Sequence, residues 1–525
     1  MRLTAAAQRK TPQRIVAQAA SVPASIGGWN TISPLADMPP TDAVQLDNFI
    51  PRAGWLEPRR GFATWATGMG STTPVNTLMA YYGASAQMFA IAGTTIWDVT
   101  GSGAAVATTV TSLSTSKAQY CNFVGVDGKH YLVVCTGQDV TKLYDGTTWS
   151  DLSCSPADPA TFIQPHVYQG RLWFVVAGSS TPVYLDLGAI AGTSHQFALG
   201  SFMGKGGNIN AIGSWTIDTR QNVDDYIAYI TSRGQVIVYA GTNPADATAW
   251  ALVGIYDVAP PIGRRCFLKI TGDLELITVD GVESMNNLLS TDRSAANRTS
   301  LTEKILPSIN DAVAMYGGNF GWQLIAYPKG SLAILNIPIV ENGTAMQFVM
   351  NTITGSWCRF PSGMDANCWE LLNDTIYFGG NIGETYEWDT TSGDGDNPIT
   401  CTVGTAFNYF DTRGRLKRWS MIRPIITTDG SVTPGVGMNV DFGTGGEIST
   451  PSTVTNANSQ WDVAVWDVAE WPQLSTTSAF WQAVIGIGQC ASILTQVTTA
   501  PNGAADGVVL RLNGWDLTME MGGFI

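Results

Sequence analysis

Runs of β-branched and aromatic residues alternate with short turn-forming stretches along much of the chain. In five places, two such runs are separated by only a few residues. These turns are Gly93, Asp127-Gly128, Gln169-Gly170, Arg233-Gly234 and Pro328-Lys329-Gly330. Glycine readily adopts the positive φ that a tight hairpin turn needs. Each pair of runs is therefore predicted to form a β-hairpin, and the chain is predicted to be an all-β protein.

An aromatic residue closely followed by aspartate recurs beyond several of these hairpins. The positions are Trp97-Asp98, Tyr144-Asp145, Tyr184 to Asp186, Tyr256-Asp257 and Trp388-Asp389. The first three aromatic residues are spaced by roughly the 40 to 50 residues of a four-stranded propeller blade. The spacing drifts afterwards, which predicts a β-propeller with insertions over residues 61–405. A generic all-β fold with aspartate-capped turns is the alternative.

Residues 301–316 have the periodicity of an amphipathic helix within this region. The apolar face carries Ile305, Ile309, Val313 and Tyr316, and two glycines follow as an end signal. The helix is predicted to pack either on its own domain or against a neighbouring subunit.

The composition shifts near residue 405. Residues 406–525 contain alternating strand patterns and a glycine-rich segment, which predict a C-terminal β-sandwich-like domain. In the loop before it, Asp394, Asp396 and Asn397 carry oxygen ligands but lack the ordered spacing and final glutamate of a calcium loop. An acidic turn is therefore favoured, and no metal or cofactor is expected.

Six prolines punctuate residues 21–60, and they exclude a continuous helix or a central strand. Residues 1–60 are therefore predicted to form an extended N-terminal arm. Arg9, Lys10 and Arg14 make its start basic and are candidates for contact with a neighbouring subunit. Plain terminal disorder is the alternative.

The composition is that of a packed but sparsely charged protein. Hydrophobic residues make up 45% of the 525 residues and charged residues only 13%, about half the usual share. Such a surface on a large β protein favours burial by other subunits. The net charge of −14 argues against a protein that grips nucleic acid through phosphates. It fits a surface that DNA passes without sticking, or simply solubility.

Other residue types add little specific chemistry. The eight cysteines form no C-x-x-C pair and are predicted to be reduced and mostly buried, as in a protein made in a cytoplasm. The three histidines form no metal-type pair, and His130 is expected to be structural. No stretch approaches the roughly 20 apolar residues of a membrane span.

The densest basic cluster is Arg413, Arg415, Lys417 and Arg418. On a strand, Arg413, Arg415 and Lys417 share one face and Arg418 points to the other. The cluster is predicted to meet acidic groups of a neighbouring subunit. Contact with phosphates and a solvated strand face are the alternatives.

Three segments carry a resemblance to a known family. The run from Leu35 to Ala43, continuing through Leu46–Pro51 and Trp55–Gly61, resembles the N-terminal signature of tail tube, nozzle or hub proteins of short-tailed bacteriophages. Residues 351–389 and 409–419 are similar to the same family, but their patterns occur in many β proteins.

This resemblance implies a structural virion protein rather than an enzyme. It implies a propeller-containing subunit of a ring, commonly hexameric, which forms the channel for genome ejection below the portal. The implied partners are further copies of the chain, portal or head–tail adaptor proteins, tail fibre or spike proteins, and double-stranded DNA in transit. The implied location is the virion tail, assembled in the host cytoplasm.

A glycan-binding or glycan-cleaving propeller is the second hypothesis. Cleavage would need paired carboxylates converging on a pocket. The run from Asp145 to Trp149 is similar to the Asp-box turn of such propellers, but its aspartate and glycine are adjacent where one residue should separate them. No linear motif of a hydrolase, metalloprotease, P-loop or dinucleotide site occurs, so no catalytic residue is predicted.

Overall fold

A computed structural model describes residues 17–218, 223–270, 272–290, 300–430, 432–451, 476–499 and 509–524. Strands dominate these ranges, and the prediction of an all-β protein is confirmed. The helices described are α1 (Met285–Ser290), α2 (Leu306–Tyr316) and the 3-10 turns Pro159–Thr161, Gly200–Phe202 and Glu303–Ile305. Among the described helices, none combines the length and the apolar character needed to cross a bilayer.

The N-terminal segment contributes six strands. They are β1 (Gln18–Pro23), β2 (Gly28–Trp29), β3 (Asp42–Asp47), β4 (Phe49–Pro51), β5 (Leu56–Pro58) and β6 (Gly61–Thr67). Only β1, β3 and β6 exceed three residues, as expected of a proline-rich segment.

Four sheets follow, antiparallel except where Cys154 and Ser155 pair in parallel with Gly192 and Thr193. The first comprises β7 (Val75–Tyr82), β8 (Ala86–Ala92), β9 (Thr95–Asp98) and β11 (Val106–Ala107), while β10 (Gly103–Ala104) pairs with β6. The second comprises β12 (Gln119–Val124), β13 (His130–Cys135), β14 (Lys142–Tyr144) and β15 (Trp149–Asp151). The third comprises β16 (Cys154–Ser155), β17 (Phe162–Tyr168), β18 (Arg171–Val176), β19 (Val183–Leu185) and β20 (Gly192–Gln196). The fourth comprises β21 (Ile209–Asp218), β22 (Val223–Thr231), β23 (Gln235–Gly241) and β24 (Trp250–Asp257).

Three more sheets complete the series. The fifth comprises β25 (Phe267–Ile270), β26 (Asp273–Thr278) and β27 (Gly281–Ser284). The sixth begins with β28 (Gln323–Tyr327), β29 (Leu332–Pro338), β30 (Ala345–Asn351) and β31 (Trp357–Phe360). The seventh comprises β32 (Cys368–Leu372), β33 (Thr375–Gly379) and β34 (Thr385–Thr391), together with β6.

These seven sheets form a closed ring. Their first strands are β7, β12, β17, β21, β25, β28 and β32, and each contacts the next, while β32 contacts β7. The seventh sheet is completed by the N-terminal strand β6, with Phe62 opposite Trp388. Such a cycle of sheets around a common axis is a β-propeller. The predicted propeller is therefore confirmed, and the described residues form seven blades.

All five predicted hairpins are present. For example, Val124 lies opposite His130 across the Asp127-Gly128 turn, and Tyr168 lies opposite Arg171 across Gln169-Gly170. The repeated aromatic residues also have a structural meaning. Those on the third strand of a blade are Trp97, Tyr144, Tyr184 and Trp388, whereas Tyr256 lies on the outer strand β24. The repeat in the sequence therefore reflects the blade.

The predicted helix is confirmed, although helical structure begins at Glu303 and not at Leu301. It starts with the 3-10 turn and continues as α2, with Pro307 in the first turn, where no intrahelical N–H bond is lost. Ile305 and Ile309 are buried, and α2 contacts β27 and β29 of the same chain. The helix therefore covers the fifth and sixth blades.

The remaining strands follow the seventh blade. They are β35 (Gly393–Asp394), β36 (Asn397–Pro398), β37 (Thr400–Thr405), β38 (Arg415–Thr428), β39 (Gly435–Val440), β40 (Thr476–Ser478), β41 (Gln482–Gly488), β42 (Ala491–Thr498) and β43 (Leu510–Phe524).

Two sheets of these strands face one another as a sandwich. In one sheet, β38 and β43 pair with each other and with β1, β5, β40 and β41. In the other, β39, β42, β37 and β3 continue into the sixth blade through β31. Across the interior, the indole N–H of Trp515 donates to the Thr495 hydroxyl at 2.8 Å.

The N-terminal segment is part of this sandwich. The strand β1 pairs along its whole length with β43, from Gln18 opposite Met519 to Pro23 opposite Gly514. The strand β3 pairs with β37 and touches β31. Residues 17–58 therefore lie against their own chain. Domain boundaries at residues 60 and 405 stay a prediction.

Candidate functional site: the propeller channel

The axial channel of the propeller contains two cavities lined by charged and polar side chains. A cavity of about 360 Å³ lies among the inner strands of six blades. A second cavity, of about 390 Å³, shares Ala118, Gln119, Arg264 and Arg265 with the first. It is lined by the loops that precede β12, β25 and β28, so it lies at the end where the inner strands begin. We call this second cavity the channel mouth.

Arg265 crosses the channel from the fifth blade to the first and second. Its Nη2 donates to the carbonyl oxygen of Asn76 at 2.9 Å, to the hydroxyl of Thr77 at 3.0 Å and to the carbonyl oxygen of Ala118 at 3.2 Å. Burial lowers the pKa of Arg265. All of these partners are neutral oxygens, which satisfy the donors of the guanidinium without cancelling its charge.

Two further cations line the channel mouth. The ammonium of Lys117 pairs with the carboxylate of Glu341 and lies 4.9 Å from the centre of the Phe320 ring. Arg265 lies 5.0 Å from the same ring. Arg264 is exposed, and partial desolvation lowers its pKa. The mouth thus has three cations and one carboxylate, in a chain whose net charge is −14.

Glu370 lies deeper in the channel. It is half-buried on β32 and accepts a hydrogen bond of 2.5 Å from the hydroxyl of Tyr120. Burial is the largest cause that raises the pKa of Glu370 to about 7, while Tyr120 and Arg265 act in the opposite direction. A carboxyl group with this pKa changes charge near neutral pH.

Side-chain amides hold neighbouring inner strands together around the channel. Gln164 of β17 accepts from the Ile212 N–H at 2.8 Å and donates to the Ile212 carbonyl at 3.0 Å. Gln323 of β28 makes the same pair with Trp369, at 3.0 and 2.8 Å. Each amide therefore satisfies a donor and an acceptor of the next blade's inner strand. These bonds fix the geometry of the channel.

The predicted basic cluster is divided by the structure. Lys417 is buried, and its ammonium donates to the carbonyls of Thr412 at 2.6 Å and Gln489 at 2.8 Å. Arg413 is exposed and pairs with Asp37 at 2.9 Å. The prediction that Arg413, Arg415 and Lys417 share one strand face is therefore wrong, because Arg413 precedes β38 and Lys417 is buried. Lys417 shares the inward face of β38 with the buried Trp419.

The remaining residues of the predicted interface differ in exposure. Arg418 is exposed, 3.9 Å from Glu520, and Arg415 is half-buried. Arg9, Lys10 and Arg14 lie outside the described residues.

The aspartates of two acidic turns, Asp394 and Asp145, are bound by other groups of the protein. Asp394 is bound by Arg59. Asp145 accepts hydrogen bonds from the backbone N–H groups of Thr147 and Thr148, which lower its pKa. Trp149 packs against the ring of Tyr144 at 5.0 Å between centres. Within the described ranges, no three His, Cys, Asp or Glu side chains group as metal ligands.

The channel mouth itself was not predicted. Its signal in the sequence is the Arg264-Arg265 pair, which follows two prolines and a glycine. Lys117 and Glu341, which complete the mouth, are 224 residues apart. Only the closed ring brings these segments together.

Comparison with known proteins gives no family. No protein-family model and no curated protein matches the chain. Among solved structures, YCF48 from Cyanidioschyzon merolae has a TM-score of 0.38 at 11% identity, covering 62% of this chain and 98% of that one. A crystal structure of BBS1N in complex with ARL6DN has a TM-score of 0.36 at 10% identity, covering 64% of this chain and 97% of that one. Similarity at these TM-scores supports no conclusion about function. The propeller assignment rests on the strand contacts of the chain itself.

Proposed function

We propose that the protein is a structural subunit of the tail of a short-tailed bacteriophage, a ring-forming nozzle or tube protein below the portal or adaptor. The observation that carries this proposal is an exposed apolar surface on the edge of the sandwich. The resemblance of residues 35–61 to that family supports the same function.

This surface, the β41 face, consists of Phe480, Trp481, Ile485 and Ile487. Ile485 is 94% exposed and Ile487 is 58% exposed, side by side on the outward face of β41. Among the described strands, β41 pairs with β38 alone. An exposed edge strand with apolar side chains is a surface that pairs with another chain. We therefore assign the β41 face to contact between subunits of the ring.

The propeller channel is not the conduit for DNA in this proposal. Arg265 crosses it, and the cavity among the inner strands has a volume of only about 360 Å³. The conduit is proposed to lie on the axis of the ring, between copies of the chain, with six copies expected. The net charge of −14 suits a wall that DNA passes without binding.

The test is the assembly state of the purified protein. Light scattering and electron microscopy are expected to show closed rings with an axial opening wide enough for duplex DNA. Ile485→Arg is expected to break the rings, because a charge would be buried in the contact. The matched control is Ile353→Arg, at a 76% exposed turn of the sixth blade, which should still form rings. A wild-type protein that stays monomeric at high concentration would contradict the proposal.

A further inference from the structure

We propose that the channel mouth binds a small ligand that carries a carboxylate or phosphate group. This inference is independent of ring formation. It rests on the charges, the unsatisfied polar groups and the volume of the mouth.

The first argument is the state of Arg264. Its guanidinium lines the mouth and makes no hydrogen bond or ion pair with any residue that the structure describes. A guanidinium offers five N–H donors in a planar fork that matches the two oxygens of a carboxylate or phosphate. With respect to the described residues, the donors of Arg264 are therefore available to an anion at the rim of the cavity.

The second argument is the charge behind it. Arg265 is held in place by neutral oxygens of the first and second blades, and no carboxylate of the described residues forms an ion pair with it. Glu370, deeper in the channel, interacts with its charge at longer range. Lys117 is balanced by Glu341. In this partly desolvated space, where electrostatic attraction is stronger than in water, an anion at the mouth would therefore meet Lys117, Arg264 and Arg265 against one lining carboxylate, that of Glu341. The carboxyl group of Glu370 lies deeper in the channel.

The third argument is an unsatisfied polar atom. The amide nitrogen of Gln119, a residue that lines both cavities, is buried without a hydrogen-bond partner among the described residues. A buried polar group without a partner is unfavourable by about 1–3 kcal/mol. An oxygen of a bound ligand would satisfy this donor once the amide turns toward the cavity.

The volume limits the ligand. A cavity of about 390 Å³ suits a small molecule such as a monosaccharide or a phosphorylated metabolite. Two sources share the required chemistry, a free phosphate or carboxylate compound and an acidic sugar of a polysaccharide. The experiment therefore includes a probe for each.

Binding of inorganic phosphate, glucuronate and glucose to the full chain can be measured by isothermal titration calorimetry. Phosphate, glucuronate or both should bind, and glucose should not. Tighter binding of glucuronate would identify an acidic sugar, and binding of phosphate alone would identify a phosphate compound. Failure of both anions to bind at about 10 mM, where even weak specific sites are occupied, would overturn the proposal.

Variants locate the site. Arg264→Gln is expected to weaken anion binding by about tenfold or more, because a charge-assisted hydrogen bond is lost. The matched control is Arg233→Gln, an exposed arginine in the second-to-third-strand turn of the fourth blade, at the same end of the propeller. Equal affinity in wild type and Arg264→Gln would contradict the assignment. An unchanged melting temperature without ligand shows that the variant is folded. Anion binding should persist in Ile485→Arg, whatever the assembly state.

Discussion

Arg59 and Asp394 form a bidentate ion pair in the interior, although 335 residues separate them in the sequence. The two guanidinium nitrogens lie 2.7 and 2.6 Å from the two carboxylate oxygens. The remaining Nε donates to the side chain of Asn48 at 2.8 Å. Arg59 is only 1% exposed. The pair therefore ties the N-terminal segment to the strand that follows the seventh blade.

Removing the guanidinium is expected to be strongly destabilising. Arg59→Met leaves the carboxylate of Asp394 buried without its partner, which lowers the free energy of unfolding by about 3–5 kcal/mol. Arg60→Met is the matched control, because the Arg60 side chain is exposed. Urea denaturation of both variants measures the difference. Equal losses in the two variants would show that the ion pair does not hold this junction.

Two glycines in predicted hairpin turns test how local geometry limits substitution. Gly128 has φ +76° and open space around an added Cβ, whereas Gly234 has φ +75° and an added Cβ would lie 2.4 Å from the carbonyl oxygen of Val258. Gly128→Ala is expected to lower the free energy of unfolding by about 1–2 kcal/mol, from backbone strain alone. Gly234→Ala adds a clash with the backbone and is expected to lower the free energy of unfolding by about 2–5 kcal/mol. Thermal unfolding of the two variants gives the comparison, and a smaller loss for Gly234→Ala would refute it.

The hairpins and the helix were predictable because their signals are local. The Asp127-Gly128 turn and the face formed by Ile305 and Ile309 each lie within a dozen residues of sequence. The spacing of Trp97 and Tyr144 also indicated the blade, since each blade is a continuous piece of chain.

The long-range contacts were not predictable from the same patterns. Closure of the ring by β6 depends on pairing between distant segments. Lys417 shows a different limit. Strand alternation predicts that Lys417 lies on the same face as Arg415. In the structure the pairing register shifts between these two residues, and Lys417 lies on the buried face with Trp419. Carbonyl oxygens accept hydrogen bonds from the buried ammonium of Lys417, and residue spacing in the sequence does not indicate these partners.

The amide bonds between inner strands are expected to stabilise the ring. Gln164→Leu keeps most of the side-chain volume but leaves the N–H and carbonyl of Ile212 without these partners. The expected loss is about 1–3 kcal/mol in the free energy of unfolding. Gln196→Leu, at an exposed position on the outer part of the same blade, is the control and should change little. A loss no greater than that of the control would mean that water replaces the amide without penalty.

Glu370 predicts a specific dependence of stability on pH. Burial raises its pKa from 4.5 to about 7. As the pH rises from about 4.5 to 7, the unfolded chain releases this proton while the folded chain retains it, so the free energy of unfolding decreases. Above about pH 8 the carboxyl group is ionised in both states, and this contribution changes no further.

Glu370→Gln stays neutral throughout and removes this contribution. Between pH 4.5 and about pH 8, the free energy of unfolding of the wild type is expected to fall by on the order of 2 kcal/mol relative to that of Glu370→Gln. This value is reduced to allow for the partial exposure of the Glu370 side chain. Urea denaturation across this pH range measures the difference. Glu303→Gln, at an exposed carboxylate before α2, controls for the general effect of removing a negative charge. Parallel curves for the wild type and Glu370→Gln would show that the carboxyl group ionises in the folded channel as it does in the unfolded chain.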